Sequence, residues 1–202
     1  MYKIVRKKEL NAAVTLLEIE APFIAKKAHA GQFIIFRIDD QGERVPLTIA
    51  GYDREKGTVT IIFQKVGFST IALGALNEGD YIKDFVGPLG KPTHTEGVKR
   101  VCVVGGGVGC AIALPSAAAF KEAGAEVDVI VGFRSKDIVI LEDEFRAVSD
   151  NMYLMKARSS HLSSSAYHFL IFSETFSRNS SLFFISSISS SFLTLDPLPT
   201  KF

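Results

Sequence analysis

The chain has 202 residues, and its 23 Lys and Arg against 22 Asp and Glu leave a formal charge of +1, so no global field is available to hold a nucleic acid or an anionic membrane. Two cysteines, Cys102 and Cys110, are too few for a disulfide framework or a four-Cys zinc or iron–sulfur site, and no metal ligands are expected. No run of 18 apolar residues occurs and the basic N-terminus leads into no apolar stretch, so the expected setting is the reducing cytoplasm.

Composition breaks near Lys156. Residues 157–202 hold 14 serines and no glycine or valine, whereas residues 1–156 hold 4 serines and all 16 glycines. The tail's apolar residues come in clumps, Phe169-Leu170-Ile171-Phe172 and Leu182-Phe183-Phe184-Ile185, that sustain neither a helical nor a strand period. It reads either as a frameshifted or misassembled end or as a natural Ser-rich extension of uncertain order, and is not expected to complete a normal Rossmann domain.

In chain order, Tyr2 to Arg6, Val14 to Ile19, Gln32 to Ile38, Val45 to Tyr52, Thr58 to Gln64 and Tyr81 to Val86 are short runs rich in β-branched and aromatic residues. Asp39-Asp40-Gln41-Gly42 and Asp53-Arg54-Glu55-Lys56-Gly57 supply hairpin turn residues between them. Six short strands so punctuated predict an antiparallel barrel or sandwich. A short helix is predicted after Phe68, with Ser69 or Thr70 as N-cap.

Arg44-Val45-Pro46-Leu47-Thr48-Ile49 brings a cation, a φ-locked proline, an apolar side chain and a hydroxyl together, a set that suits a flavin's flat ring, redox-active edge and phosphates. The same six residues also describe an ordinary edge strand with a proline. Gly67-Phe68-Ser69-Thr70 offers a turn and a helix N-terminus to a pyrophosphate, or simply a capped helix.

Arg100 to Val104 is an apolar strand that runs into Gly105-Gly106-Gly107-Val108-Gly109 and then a helix broken at Ala123-Gly124. Glu126 to Val131 is the next strand. Strand, glycine run and helix form the opening of a nucleotide-binding βαβ unit. The match to G-x-G-x-x-G is partial, because Gly105 and Gly107 fill the first two positions and Cys110 the third. No acidic residue follows the second strand to grip a ribose; Gly132-Phe133-Arg134-Ser135 stands there, which counts against a simple NAD dehydrogenase.

The joint order of Gly42 to Gly51, Val66 to Thr70, Gly87-Pro88-Leu89-Gly90-Lys91-Pro92 and Gly105 to Gly109 resembles the ferredoxin-NADP reductase superfamily over roughly residues 1–155. Within it the chain is similar to the FAD-binding subunits of bifurcating ferredoxin-NADP reductases, also called sulfide dehydrogenase subunit beta, and to dihydroorotate dehydrogenase B electron-transfer subunits. The resemblance implies a β plus α/β architecture: an FAD-binding antiparallel β-barrel over residues 1–96, an incomplete Rossmann-like nucleotide-binding domain over 97–156, and the tail 157–202.

By the same resemblance, Arg44, Pro46, Leu47 and Thr48 lie against FAD, Gly67, Ser69 and Thr70 lie near its pyrophosphate, and Gly105, Gly106, Gly107 and Gly109 line the NAD(P)H phosphate loop. Val45 and Leu47 replace the Arg and aromatic residue of the more usual superfamily pattern. Leu141 to Phe145 looks like the helix after the second strand, and Asn151 to Met155 like the third strand. The family's Cys-rich [2Fe-2S] segment and the segments near the nicotinamide are not recognisable after Met155, so no cluster and little NAD(P)H turnover are expected on this chain. Catalytic residues stay unassigned. The implied function is a FAD-binding electron-transfer oxidoreductase subunit working between NAD(P)H and an iron–sulfur flavoprotein partner subunit. The alternatives are a noncatalytic truncated chain or binding module, and a free-standing flavin reductase or diaphorase.

Overall fold

Two of the predicted strands are apolar on both faces, and the fold uses both faces. The computed structural model describes residues 1–156 and the backbone of 181–184. In β2 (Val14–Glu20) and β5 (Thr58–Gln64), Leu17, Ile19, Val59, Ile61 and Phe63 point into one core, while Val14, Leu16 and Ile62 point into a second. The first core fills a barrel; the second lies between that barrel and an α/β unit. A period of two thus serves two cores at once.

The barrel sheet also contains β1 (Tyr2–Glu9), β3 (Phe33–Arg37), β4 (Val45–Asp53), β6 (Tyr81–Ile82) and β7 (Asp84–Leu89), in the order β6-β1-β2-β5-β4-β3-β7. The run predicted as one strand from Tyr81 to Val86 is split at Lys83 and continues to Leu89. The split has a topological reason. Tyr81 and Ile82 pair with β1, whereas Asp84 to Leu89 pair with β3, so one stretch of chain joins the two ends of the sheet and closes it. Lys83 bridges the change by donating its amide to the Ile38 carbonyl at 3.0 Å. An almost closed sheet leaves few unpaired edge groups.

The predicted turns are held by side chains. Asp53 Oδ1 accepts the amides of Glu55 and Lys56 at 3.0 and 2.9 Å, Asp39 Oδ1 accepts that of Gln41 at 2.9 Å, and Gly57 takes the φ of +68° that the turn needs. A helix the strand pattern does not reveal, α1 (Pro22–Lys27), follows β2 with Pro22 in its first turn and Ile24 and Ala25 buried. The second helix, α2 (Phe68–Ala75), starts two or three residues earlier than an N-cap at Ser69 or Thr70 predicts. Its N-cap is Gly67, and Thr70 lies inside the first turn.

In the α/β unit, β8 (Arg100–Gly106), α3 (Cys110–Glu122) and β9 (Glu126–Phe133) form the expected βαβ arrangement, with a 3-10 turn over Gly107–Gly109. Gly124 ends α3 at a φ of +86°, while Pro115 sits inside the helix without stopping it. The acidic segment forms α4 (Glu142–Val148) with Phe145 buried, and β10 (Asn151–Lys156) pairs parallel to β9. Small buried residues, Ala111, Ala113 and Ala117, let α3 lie close between the parallel sheet and the barrel.

One short part of the tail joins the parallel sheet. Ser181–Phe184 forms β11, parallel to β8 with Leu182 opposite Cys102 and Phe184 opposite Val104, giving the order β10-β9-β8-β11. A four-residue strand is too short to show a period, and the free side of β8 offers it a ladder of backbone partners. The remainder of 157–202, including the Phe169 to Phe172 clump, lies outside the described residues.

Phe36 is fully buried in the barrel and is paired with Val45 on one side and Phe85 on the other. Phe36→Ala is expected to cost about 3–5 kcal/mol by leaving a cavity among strands that the sheet holds apart. Urea denaturation followed by circular dichroism measures this, and an unchanged midpoint would contradict the packing described.

Candidate cofactor site

Strand β4 is paired on both sides, with Pro46 opposite Ile35 and Thr48 opposite Phe33 on β3, and Ile49 opposite Ile61 on β5. Its side chains therefore alternate. Val45, Leu47 and Ile49 pack toward the barrel core, while Pro46 and Thr48 lie on the outer face. Across three strands, Pro46, Ile35 and Val86 form one outward apolar row. Of the predicted flavin residues, the structure brings Pro46 and Thr48 to one surface and turns Leu47 to the other.

Arg44 precedes β4 with its side chain 65% exposed, and its guanidinium is 3.9 Å from Asp84 Oδ2. Asp84 is held more tightly by Arg37 at 2.6 Å, so Arg44 keeps most of its donors free to meet an anion.

The second predicted motif arrives at the same place. Because β5 neighbours β4 and leads into α2, the helix start lies beside the entry to β4, and Ser69 Oγ donates to Glu43 Oε2 at 2.9 Å. Thr70 Oγ1 accepts the amides of Val66 and Gly67 at 3.1 Å each and donates to the Gly67 carbonyl at 3.1 Å. Its hydroxyl is thus committed to the loop. The amides of Phe68, Ser69 and Thr70 are left to face outward, as first-turn amides must. Glu43 is the residue that sequence reasoning missed; a lone acid beside an arginine carries no pattern that marks it.

The glycine run divides into packing and access. A Cβ on buried Gly105 would lie 3.2 Å from both Ala113 Cβ and Cys110 Sγ, so this glycine allows α3 to approach β8. Gly107 has a φ of +54° and nothing within 4 Å of the place where its Cβ would be, so its backbone is open to a ligand. Gly106 is half-buried and Gly109 is buried at the helix entry. Val108 packs against the same buried cluster as Ile62 and Leu16 of the barrel, and the loop touches β5. The sheet order reverses between β8 and β11, and the loop lies at the carboxyl end of β8, where open α/β sheets bind ligands. After β9, Arg134, Ser135 and Lys136 are exposed.

A separate cleft of about 300 Å³ lies at the other end of α3, between His29, Tyr52, Thr93 and Glu122, and it contains none of the predicted site residues. Among the described residues, no three His, Cys, Asp or Glu side chains gather as metal ligands, and no helix is long and apolar enough to cross a membrane.

No family model matches the chain. Among known proteins, it is 50% identical over 161 residues to the "uncharacterized protein in adh 3′ region" of Clostridium beijerinckii, covering 76% of this chain and 54% of that one. It is 42% identical over 148 residues to a dihydroorotate dehydrogenase B (NAD(+)) electron transfer subunit homolog of Thermotoga maritima, covering 73% of this chain and 52% of the relative. The chain thus spans about half the length of the curated relatives it matches. Among solved structures, an NADH-dependent reduced ferredoxin-NADP oxidoreductase superposes with a TM-score of 0.74 at 38% identity, covering 81% of this chain and 62% of that one. Phthalate dioxygenase reductase shares the fold alone, with a TM-score of 0.71 at 16% identity over 92% of this chain and 60% of that one.

By fold, then, this is a ferredoxin reductase-like protein, a barrel of the FAD-binding type followed by a nucleotide-binding α/β unit. In particular, it is a homologue of the electron transfer subunits of dihydroorotate dehydrogenase B.

Cys102 and Cys110 fit as small core side chains. Burial pushes their thiols up to about 11 and about 12, with the carboxylate of Asp128 adding to the shift at Cys102. Because the folded state favours the neutral thiol, both should remain protonated well past pH 9. Alkylation of the native protein at pH 8 is expected to run at least about a hundredfold slower than for a free thiol, with both groups reacting normally once the chain is unfolded. Fast native labelling, read by intact mass, would contradict this burial.

Proposed function

We propose that this chain binds FAD across the outer face of β4 and the start of α2, and passes electrons between NAD(P)H and an iron–sulfur partner subunit. The observation that carries the reading is convergence: the Arg44 to Thr48 run and the Gly67 to Thr70 turn meet through the Ser69–Glu43 hydrogen bond. The Gly105 to Gly109 loop sits against β5, the strand that leads into that turn. The relatives' designation as electron transfer subunits supports a partner that takes the electrons.

The residues suit the cofactors. Gly67, like Gly107, has nothing within 4 Å of a would-be Cβ, so the backbone at both turns can approach a phosphate. Arg44 and the first-turn amides of α2 would hold the FAD phosphates, Thr48 would supply a polar contact to the ring, and Pro46 an apolar one. Gly107 would admit the phosphates of the nicotinamide nucleotide. Bound FAD supplies the change from a hydride to single electrons, and the chain's own part is to fix position and keep the two nucleotides in separate places.

Two variants of the FAD-loaded chain test that division. Thr48→Val should lower FAD affinity by roughly twofold to tenfold, the loss of one polar contact. Gly107→Ala should leave FAD affinity within about twofold but slow anaerobic bleaching by NADH or NADPH at least about tenfold, since its Cβ sits where a phosphate must approach. A colourless protein with no affinity for flavin would overturn the proposal, as would parallel loss of both properties in both variants.

A further inference from the structure

Resting on the flavin reading above, we propose that Glu43 is an anionic gate on the FAD phosphate site: its carboxylate occupies the start of α2 in the free protein and must be displaced or repelled when the FAD diphosphate binds.

Helix α2 has no acidic residue in its first turn and no basic residue in its last, so its own sequence does nothing to complement the partial positive charge at its N-terminus. The complement comes from the loop before β4. Glu43, 26 residues earlier, accepts the Ser69 hydroxyl at 2.9 Å. The Thr70 hydroxyl cannot serve an incoming phosphate, because it is already engaged with Val66 and Gly67. That leaves the outward amides and Ser69 as the helix's polar groups for a phosphate, and Ser69 is the one Glu43 holds. A diphosphate at these groups would stand within a few ångströms of the carboxylate, at a surface where like charges still repel measurably. Arg44, next in sequence, pulls the other way. The two neighbours therefore set flavin affinity in opposition, the arginine attracting the phosphates and the glutamate excluding them until they outcompete it.

Glu43→Gln isolates the charge, because the amide oxygen can still accept the Ser69 hydroxyl. Titrations of the apo protein with FAD, FMN and riboflavin, followed by flavin fluorescence, separate the phosphate effect from any effect on the ring site. The expected result is about threefold to tenfold tighter binding of FAD, and a gain for FMN, with riboflavin unchanged. Weaker or unchanged FAD binding in a parent protein that does bind FAD would overturn the gate and leave the flavin reading standing. An equal gain for all three ligands would also overturn it, since that signals a changed ring pocket rather than relieved repulsion. If the parent protein binds no flavin, both the gate and the flavin reading fall. Arg44→Gln under the same titration should weaken FAD and FMN while sparing riboflavin; a gain for FAD there would contradict the opposed roles.

Discussion

Strand β4 is hydrogen-bonded to a neighbour on each side, and most of the site follows from that placement. A strand paired along both edges has its backbone groups satisfied and its side chains alternate. Val45, Leu47 and Ile49 must then serve the barrel core while Pro46 and Thr48 face out. The neighbour on one side, β3, extends the outer row through Ile35 to Val86. The neighbour on the other side, β5, runs into α2 and so carries Ser69 to Glu43. Two motifs separated by some twenty residues become adjacent because of sheet order.

The second half of the molecule is attached by apolar contact. Val14 and Ile62, on the outward face of β2 and β5, belong to the same buried cluster as Val103, Val129 and Phe145 of the α/β unit. The linker between the halves is pinned as well, the Thr93 amide bonding the Ala30 carbonyl at 2.8 Å and its hydroxyl lying 3.2 Å from that of Ser116 in α3. These contacts stop the glycine loop from drifting relative to the barrel, since sliding would strip apolar surface from Val14 and Ile62 and break the Thr93 contacts. Transfer of a hydride between two bound nucleotides requires their reacting atoms about 3–3.5 Å apart, a demand that only fixed halves can meet.

Much of this was legible in the sequence, and the failures have definite causes. The strand at Thr58 to Gln64 matches because it is dense in β-branched and aromatic residues and its turn at Asp53 to Gly57 is explicit. The closing run was misread as one strand since closure is a long-range fact: nothing local tells Ile82 and Asp84 that they pair with different partners. Helix α1 escaped notice because six residues are too few to establish a helical period. Strand β11 escaped for the corresponding reason, four residues whose fate depends on the free side of β8. At the site, residue types were visible but directions were not. Leu47 and Thr48 are neighbours in sequence and belong to opposite faces, a distinction that needs the strand's register and not its composition.

The glycines show how the same residue type answers different physical demands, and why counting them against a fingerprint misleads. Gly105 is required by packing, since a Cβ there meets Cys110 and Ala113, whereas Gly107 meets nothing and instead adopts a φ of +54° that other residues resist. Gly67 needs neither: its φ is −144° and its would-be Cβ is unobstructed. Neither packing nor a positive φ calls for glycine at position 67, which leaves the space in front of its backbone open, as the proposed phosphate site requires. The departure from G-x-G-x-x-G at Cys110 is explained on the same terms. Cys110 is fully buried against Gly105, where a small apolar side chain fits, and the opening to solvent is provided by Gly107. The proposed phosphate loop needs an open backbone at one position and close helix packing at another, and the glycine run offers both with a pattern that fills only two of the three expected positions.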